Sequence, residues 1–215
     1  LVNAAEQGNV SSQLKLGAMY LYGQGVEQDF AKAYELFAKA AEQGSDIAHY
    51  CLGIIYRDGC GVKQDYVKAA WYFATASEDG IPHAQFNLGF FYDEGLGVAQ
   101  DYSKAVELYT KAADQGYIKA MYNLGIMYAN GLGVEQDDTK SVELMIKAAE
   151  GGIAQAQFNL GAMYAEGNGV AQDYTKAIEW YQKAAEQGFV PAQNELADLY
   201  LGAKGVTKDS KKAKE

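Results

Sequence analysis

The residue types that carry most enzyme chemistry are sparse in this chain and poorly spaced for it. There are two histidines, His49 and His83, and two cysteines, Cys51 and Cys60. His49 and Cys51 stand two apart, which on a helix aims their side chains about 160° from each other. They are therefore no nucleophile–base pair. The histidines fall in different segments, so a multi-histidine metal centre is excluded, and neither metal nor cofactor is expected. Asp58 with Asp93 or Glu94 would supply carboxylates for acid–base work. With 28 acidic against 18 basic residues, however, chance acid pairs are to be expected. No glycine-rich phosphate loop follows a strand. The residues predict a protein that is not an enzyme.

The elements that position these residues repeat. Leu16, Leu52, Leu88, Leu124, Leu160 and Leu196 stand 36 residues apart, as do Tyr20, Tyr56, Tyr92, Tyr128, Tyr164 and Tyr200. Gly25 to Gly205, Val26 to Val206, Asp29 to Asp209 and Lys32 to Lys212 keep the same spacing. An ungapped period of this length denotes a solenoid. Within one period, "AHYCLGIIYRDG" (48–59) sets Ala48, Leu52, Ile55 and Tyr56 on one helical stripe and stops at glycine. "DYVKAAWYFATASEDG" (65–80) opens on Asp65, a good N-cap, and runs to Gly80. Each period thus predicts an A-helix of about 11 residues, a glycine-rich turn needing φ > 0, and a B-helix of about 15. Gly17, Gly53, Gly89, Gly125 and Gly161 lie inside A-helices, where glycine costs about 1 kcal/mol. That recurring cost predicts close approach of the B-helix. No unit buries its apolar face alone, so the units stack.

The expected architecture is all-α: a right-handed α-solenoid, or superhelix, of antiparallel helix pairs forming a single domain over 1–215. Five complete repeats span 12–47, 48–83, 84–119, 120–155 and 156–191. Residues 1–11 read as the tail of an upstream repeat, and 192–215 as a partial or capping repeat, since Ser210 and Lys214 replace apolar residues there. If helix follows Cys51, the two cysteine α-carbons lie roughly 12 Å apart, too far for a disulfide. Two separate, partly buried thiols are expected. The net charge of −10 argues against nucleic acid, whose phosphates need clustered Lys and Arg. No apolar run is long enough to cross a membrane. Because the chain opens inside a repeat, compartment and oligomeric state stay open.

At these residues the pattern resembles the Sel-one-like repeat (SLR) family, relatives of the tetratricopeptide repeats. The phrase "AQFNLGAMYAEGNGVAQDYTKAIEWYQKAAEQG" (156–188) is close to that family's consensus, and the likeness covers the whole chain. The resemblance implies an adaptor without catalysis, bacterial, in envelope or host-interaction processes, and favours a periplasmic or secreted protein. It further implies a partner protein or peptide on the concave A-helix surface. The apolar floor would be Tyr50, Ile54, Phe86, Phe90, Tyr122, Ile126 and Phe158. The margins would be Arg57, Asp58, Asp93, Glu94, Asn130 and Glu166. A helical wheel agrees, placing these positions opposite Leu52 and Tyr56. Such a trough suits a basic peptide with apolar anchors. A structural role for the aromatics, packing between A-helices, competes with that reading. The turn residues Gln24, Cys60, Leu96, Leu132 and Asn168 offer a second surface. Two alternatives are a glycan or envelope-polymer binder and a hydrolase of the family's cysteine-rich branch. Cys51 and Cys60 fall outside that branch's cysteine columns.

Overall fold

The computed structural model describes residues 1–201. Among these every regular element is an α-helix, and the chain forms two compact units, Leu1–Gln115 and Gly116–Glu215. The first holds α1 (Val2–Glu6), α2 (Val10–Tyr22), α3 (Phe30–Glu42), α4 (Asp46–Asp58), α5 (Tyr66–Glu78), α6 (Pro82–Glu94) and α7 (Tyr102–Asp114). The second holds α8 (Ile118–Asn130), α9 (Asp138–Glu150), α10 (Ala154–Glu166), α11 (Tyr174–Glu186) and α12 (Val190–Tyr200). Gly205, Val206, Asp209 and Lys212 of the periodic columns, and the Ser210 and Lys214 that suggested a cap, lie outside the described residues.

Even-numbered helices are A-helices, and the odd-numbered ones from α3 are their B partners. In the first pair Lys32 sits over Tyr20, Phe37 over Gly17, and Gln43 on Gln13, so the two helices run antiparallel. Pairs stack on pairs through α3–α4 and α5–α6 in the first unit, and through α9–α10 and α11–α12 in the second. This is the stacked-hairpin arrangement of an α-solenoid.

The expected helix lengths need correction. From α2 to α11 both A- and B-helices are 13 residues long. The A-helix starts earlier than expected, at Asp46 rather than Ala48, because Ser45 accepts the Ala48 N–H as N-cap. The B-helix stops earlier, because Gly80 already has φ of +85° and diverts the chain.

The columns kept in register prove to be the closure of the A–B turn. Gly59 and Gly61 take φ of +71° and +72°, which turns the chain back at the end of α4. The Gln64 amide donates to the Arg57 carbonyl (2.7 Å), filling an acceptor orphaned by the helix end. Asp65 donates its own N–H to the Tyr56 carbonyl (2.9 Å) and accepts the Lys68 N–H on its side chain (3.0 Å). The Lys68 ammonium then lies 5.1 Å above the Tyr56 ring. The same lysine-over-tyrosine contact recurs at Lys32–Tyr20, Lys104–Tyr92, Lys140–Tyr128 and Lys176–Tyr164.

The A-helix glycines accommodate side chains rather than backbone. A Cβ on Gly53 would lie 2.6 Å from the Phe73 ring, and one on Gly17 2.8 Å from Phe37. Tyr109 and Tyr181 cover Gly89 and Gly161 in the same way, while Met145 takes this place over Gly125. Phe73 is fully buried and meets Phe91 of the next A-helix edge-on at 5.4 Å. The glycine thus seats a ring that fills both the hairpin and the seam to the next pair.

A second inter-pair fastener uses glutamine. Gln157 on α10 donates to the Ala149 carbonyl at the end of α9 (3.0 Å) and accepts from Gln187 at the end of α11 (2.8 Å). Gln13 and Gln85 repeat this with Gln43 and Gln115. The equivalent places in the other two pairs hold His49 with Asp79, and Met121 with Gly151.

Candidate functional site

The outer side of each A-helix is set by what the inner side buries. Ala48, Leu52, Gly53, Ile55 and Tyr56 of α4 are buried, which leaves Tyr50, Ile54, Arg57 and Asp58 toward the other face. In the first unit the aromatic positions are already occupied in packing. Tyr50 is half-buried, 6.0 Å from the Phe73 ring and 5.8 Å from His83. Phe86 lies 5.7 Å from Tyr109. Ile54 is half-buried on the same core cluster. Phe90 differs, with 37% of its surface exposed.

The polar positions divide the same way. Arg57 donates twice to Asp58 (2.7 and 2.8 Å) and once to Asn87 of the next A-helix (2.7 Å). Its guanidinium is held in the charged form chiefly by Asp58. Asp58 itself stays exposed, as does Glu94. Asp93 is half-buried and accepts the Tyr109 hydroxyl (3.2 Å). Burial raises its pKa, the Tyr109 hydrogen bond draws it back down, and Glu94 pushes it up. Tyr109 thus joins Phe86, beside its ring, to Asp93, at its hydroxyl.

In the second unit Tyr122 is half-buried beside Ile126 against one core cluster, and burial raises its pKa. Phe158 lies 5.5 Å from Tyr181 and 5.4 Å from Phe189. Asn130 donates to the Ile126 carbonyl (3.0 Å) and Glu166 accepts from Asn168 (2.8 Å); both are exposed. Asp58 and Glu94 in the first unit, and Asn130 and Glu166 in the second, thus hold the same place in the repeat, the last residue of α4, α6, α8 and α10; all four are exposed and three are acidic, while α2 has the exposed Tyr22 there.

Cys51 and Cys60 are both free and partly buried. Burial pushes the Cys51 thiol up to about 12, which keeps it protonated and unreactive. Among the described residues no three His, Cys, Asp or Glu side chains converge to hold a metal ion. None of the described helices is long and apolar enough to cross a membrane. The partners that sequence reading missed are Asn87 and Tyr109. Asn87 stands in the column of Cys51, and Tyr109 in that of Phe73.

Stacked antiparallel hairpins, a turn closed by repeated side chains and a variable exposed column define a helical-repeat scaffold. The Sel1 repeat model matches residues 10–45, 47–81, 82–117, 118–153, 154–189 and 190–215, and the chain belongs to this family. Sel1 repeat proteins are in general non-catalytic helical scaffolds for protein interaction. A Sel1 repeat protein from Oxalobacter formigenes is 33% identical, with a TM-score of 0.86 over 97% of this chain and 83% of that one. A protective antigen present in uropathogenic Escherichia coli strains, with an SLR fold, is 38% identical, with a TM-score of 0.78 over 98% of this chain. The chain spans 53% of that antigen's length. An immunity protein from Pseudomonas aeruginosa, 24% identical with a TM-score of 0.56 over 95% of this chain and 78% of that one, shares the fold. No curated protein matches the chain.

Proposed function

We propose that the chain is an adaptor that holds a partner protein or peptide along the A-helix face. The observation that carries this is the last A-helix position of the repeat, Asp58 and Glu94 in the first unit and Asn130 and Glu166 in the second, which varies, stays exposed and takes no part in closing the hairpins. Beside it Phe90 is the most open of the apolar positions. Lysine or arginine on the partner would be drawn to the acidic margin, and an apolar anchor would seat on Phe90. The glycan reading has less support, since Tyr50, Phe86 and Phe158 already pack against rings of their own hairpins. The likeness to a bacterial protective antigen supports a role at the bacterial envelope or in contact with a host.

The test is affinity capture with the wild-type chain and with an Asp58→Lys, Glu94→Lys variant. Asp93 is left alone because it accepts the Tyr109 hydroxyl. Partners retained by the wild type should be lost at least tenfold with the variant, while helix content and Tm hold. Undiminished capture refutes the A-helix face as the site.

A further inference from the structure

Two columns on the outer surface of the B-helices are constant except in one copy. Glu35 and Lys39, Glu107 and Lys111, Glu143 and Lys147, and Glu179 and Lys183 put a Glu–Lys pair four residues apart on α3, α7, α9 and α11. The Glu107–Lys111 pair closes at 2.6 Å. On α5 the same two positions hold Trp71 and Thr75, and Trp71 is 60% exposed. Val67, one turn earlier on the same face, is 65% exposed, where the other copies hold Ala31, Ser103, Thr139 and Thr175, so α5 alone carries a stripe of two large exposed apolar side chains.

This stripe ends in acid. Glu78 lies two turns beyond Trp71 on the same face of α5 and is exposed. Trp71 also stands edge-on to His49 at 6.4 Å, and His49 follows Asp46 by one turn of α4. Burial raises the pKa of Asp46, and the neighbouring Asp79 raises it further, so the two acidic side chains lie close together. In three of the other hairpins the His49 and Asp79 positions are a bonded glutamine pair; here the His49 Nδ1 is buried without a partner. In place of the glutamine pair this hairpin has an imidazole with an orphaned nitrogen beside an open indole, and at Asp79 a carboxylate near that of Asp46.

We propose that the outer face of α5 and the adjoining start of α4 form a second docking surface, for a lysine- or arginine-bearing helical segment of a partner protein, with Trp71 under its apolar and cationic side chains and Asp46, Asp79 and Glu78 facing its charge. Charge complementarity selects this occupant. The indole face attracts a cation, and the carboxylates beyond it leave a basic residue one or two turns along the partner with a counter-ion. The nearest lysine on α5, Lys68, is already engaged with Asp65 and the Tyr56 ring. The chain itself uses the same chemistry elsewhere, with the Lys183 ammonium 3.9 Å from the centre of the Trp180 ring. This surface is separate from the A-helix column and does not depend on it.

The probe is a 14-residue helix-forming peptide of alanine, leucine and lysine, with a control in which glutamate replaces lysine. In a Trp180→Phe variant Trp71 is the sole tryptophan, and its emission should change saturably with the lysine peptide and not with the glutamate peptide. By calorimetry, Trp71→Glu, which restores the residue of the other copies, should weaken binding by about tenfold or more. Asp46→Asn with Asp79→Asn should weaken it by about threefold or more, and Asp58→Lys with Glu94→Lys should leave it within about twofold. The proposal is overturned by unchanged affinity in Trp71→Glu, by equal binding of the glutamate peptide, or by no saturable response. It is also overturned if sedimentation shows a self-association that Trp71→Glu abolishes, since the occupant is then a second copy. A loss of probe binding on the A-helix face alone likewise overturns this surface while leaving the adaptor reading intact.

Discussion

Replacing Gly53 by alanine isolates the packing that defines the hairpin. Alanine is the better helix former by about 1 kcal/mol, so on propensity alone the change stabilises. The new Cβ, however, would meet Phe73 Cδ1 and Cε1 at 2.6 Å. Phe73 cannot yield easily: it is fully buried, Tyr50 lies at 6.0 Å and Phe91 crosses it edge-on at 5.4 Å. Overpacking of this kind costs about 1–3 kcal/mol, and a ring confined on both sides belongs at the upper end. The net expectation is a loss of about 2 kcal/mol, or about 4–8 °C in Tm for a chain of this size. Gly125→Ala is the internal control. There the nearest atom is the Met145 Cε at 3.1 Å, the free end of a flexible side chain, followed by Leu144 Cβ and the Ser141 carbonyl at 3.4 Å. Propensity should win, leaving stability unchanged or raised by up to about 1 kcal/mol. Phe73→Met, which copies the α8–α9 pairing, should recover at least half the loss in the Gly53→Ala background. Urea and thermal unfolding followed by circular dichroism measure all four proteins. The reasoning is refuted if Gly53→Ala melts at or above the wild type while Gly125→Ala melts below it.

Two further outcomes follow from contacts already described. Changing His49 and Asp79 together to glutamine should install the fastener of the neighbouring pairs, satisfy the site of the orphaned Nδ1 and raise unfolding stability by about 1 kcal/mol; a double variant less stable than wild type contradicts this. Cys51 should alkylate at least about tenfold more slowly than Cys60 in the folded chain at pH 8, because burial holds its thiol near 12 and leaves little thiolate. The unfolded chain releases that proton at an ordinary thiol pKa, so any stabilisation from the buried neutral form is present at neutral pH and is lost as pH rises toward 12. Equal rates, read by mass spectrometry of labelled peptides, would contradict the assignment.

The repeat architecture was legible because the strongest columns are those that close the turn. Asp65, Lys68, Tyr56 and Gly59 each meet a partner within one hairpin, so a single period carries the information. Helix ends were less legible: Ser45 caps α4 and Gly80 turns the chain after α5, so segments of unequal apparent length become equal helices. The candidate site could be read only as positions on a wheel. Periodicity located Tyr50 and Phe86, but the rings they would touch, Phe73 and Tyr109, lie in other helices. The glutamine fastener joins residues 30 apart and falls across the 36-residue register, which hides it from a column-by-column reading. Trp71 was hidden for another reason. The Glu–Lys pairs that mark its column look like ordinary solvated surface, and the exception stands out only once that surface is seen to be bare.

The turn closure has a consequence for how such chains change. Asp29 with Lys32 and Tyr20, and the four copies of that trio among the described residues that end at Lys68, Lys104, Lys140 and Lys176, each draw their three members from a single hairpin. A whole module is therefore a removable part, and an array can lengthen or shorten by 36 residues without new joints having to be invented. Novelty is left to the few letters the latch ignores, and a single replacement there gives one module a surface its siblings lack.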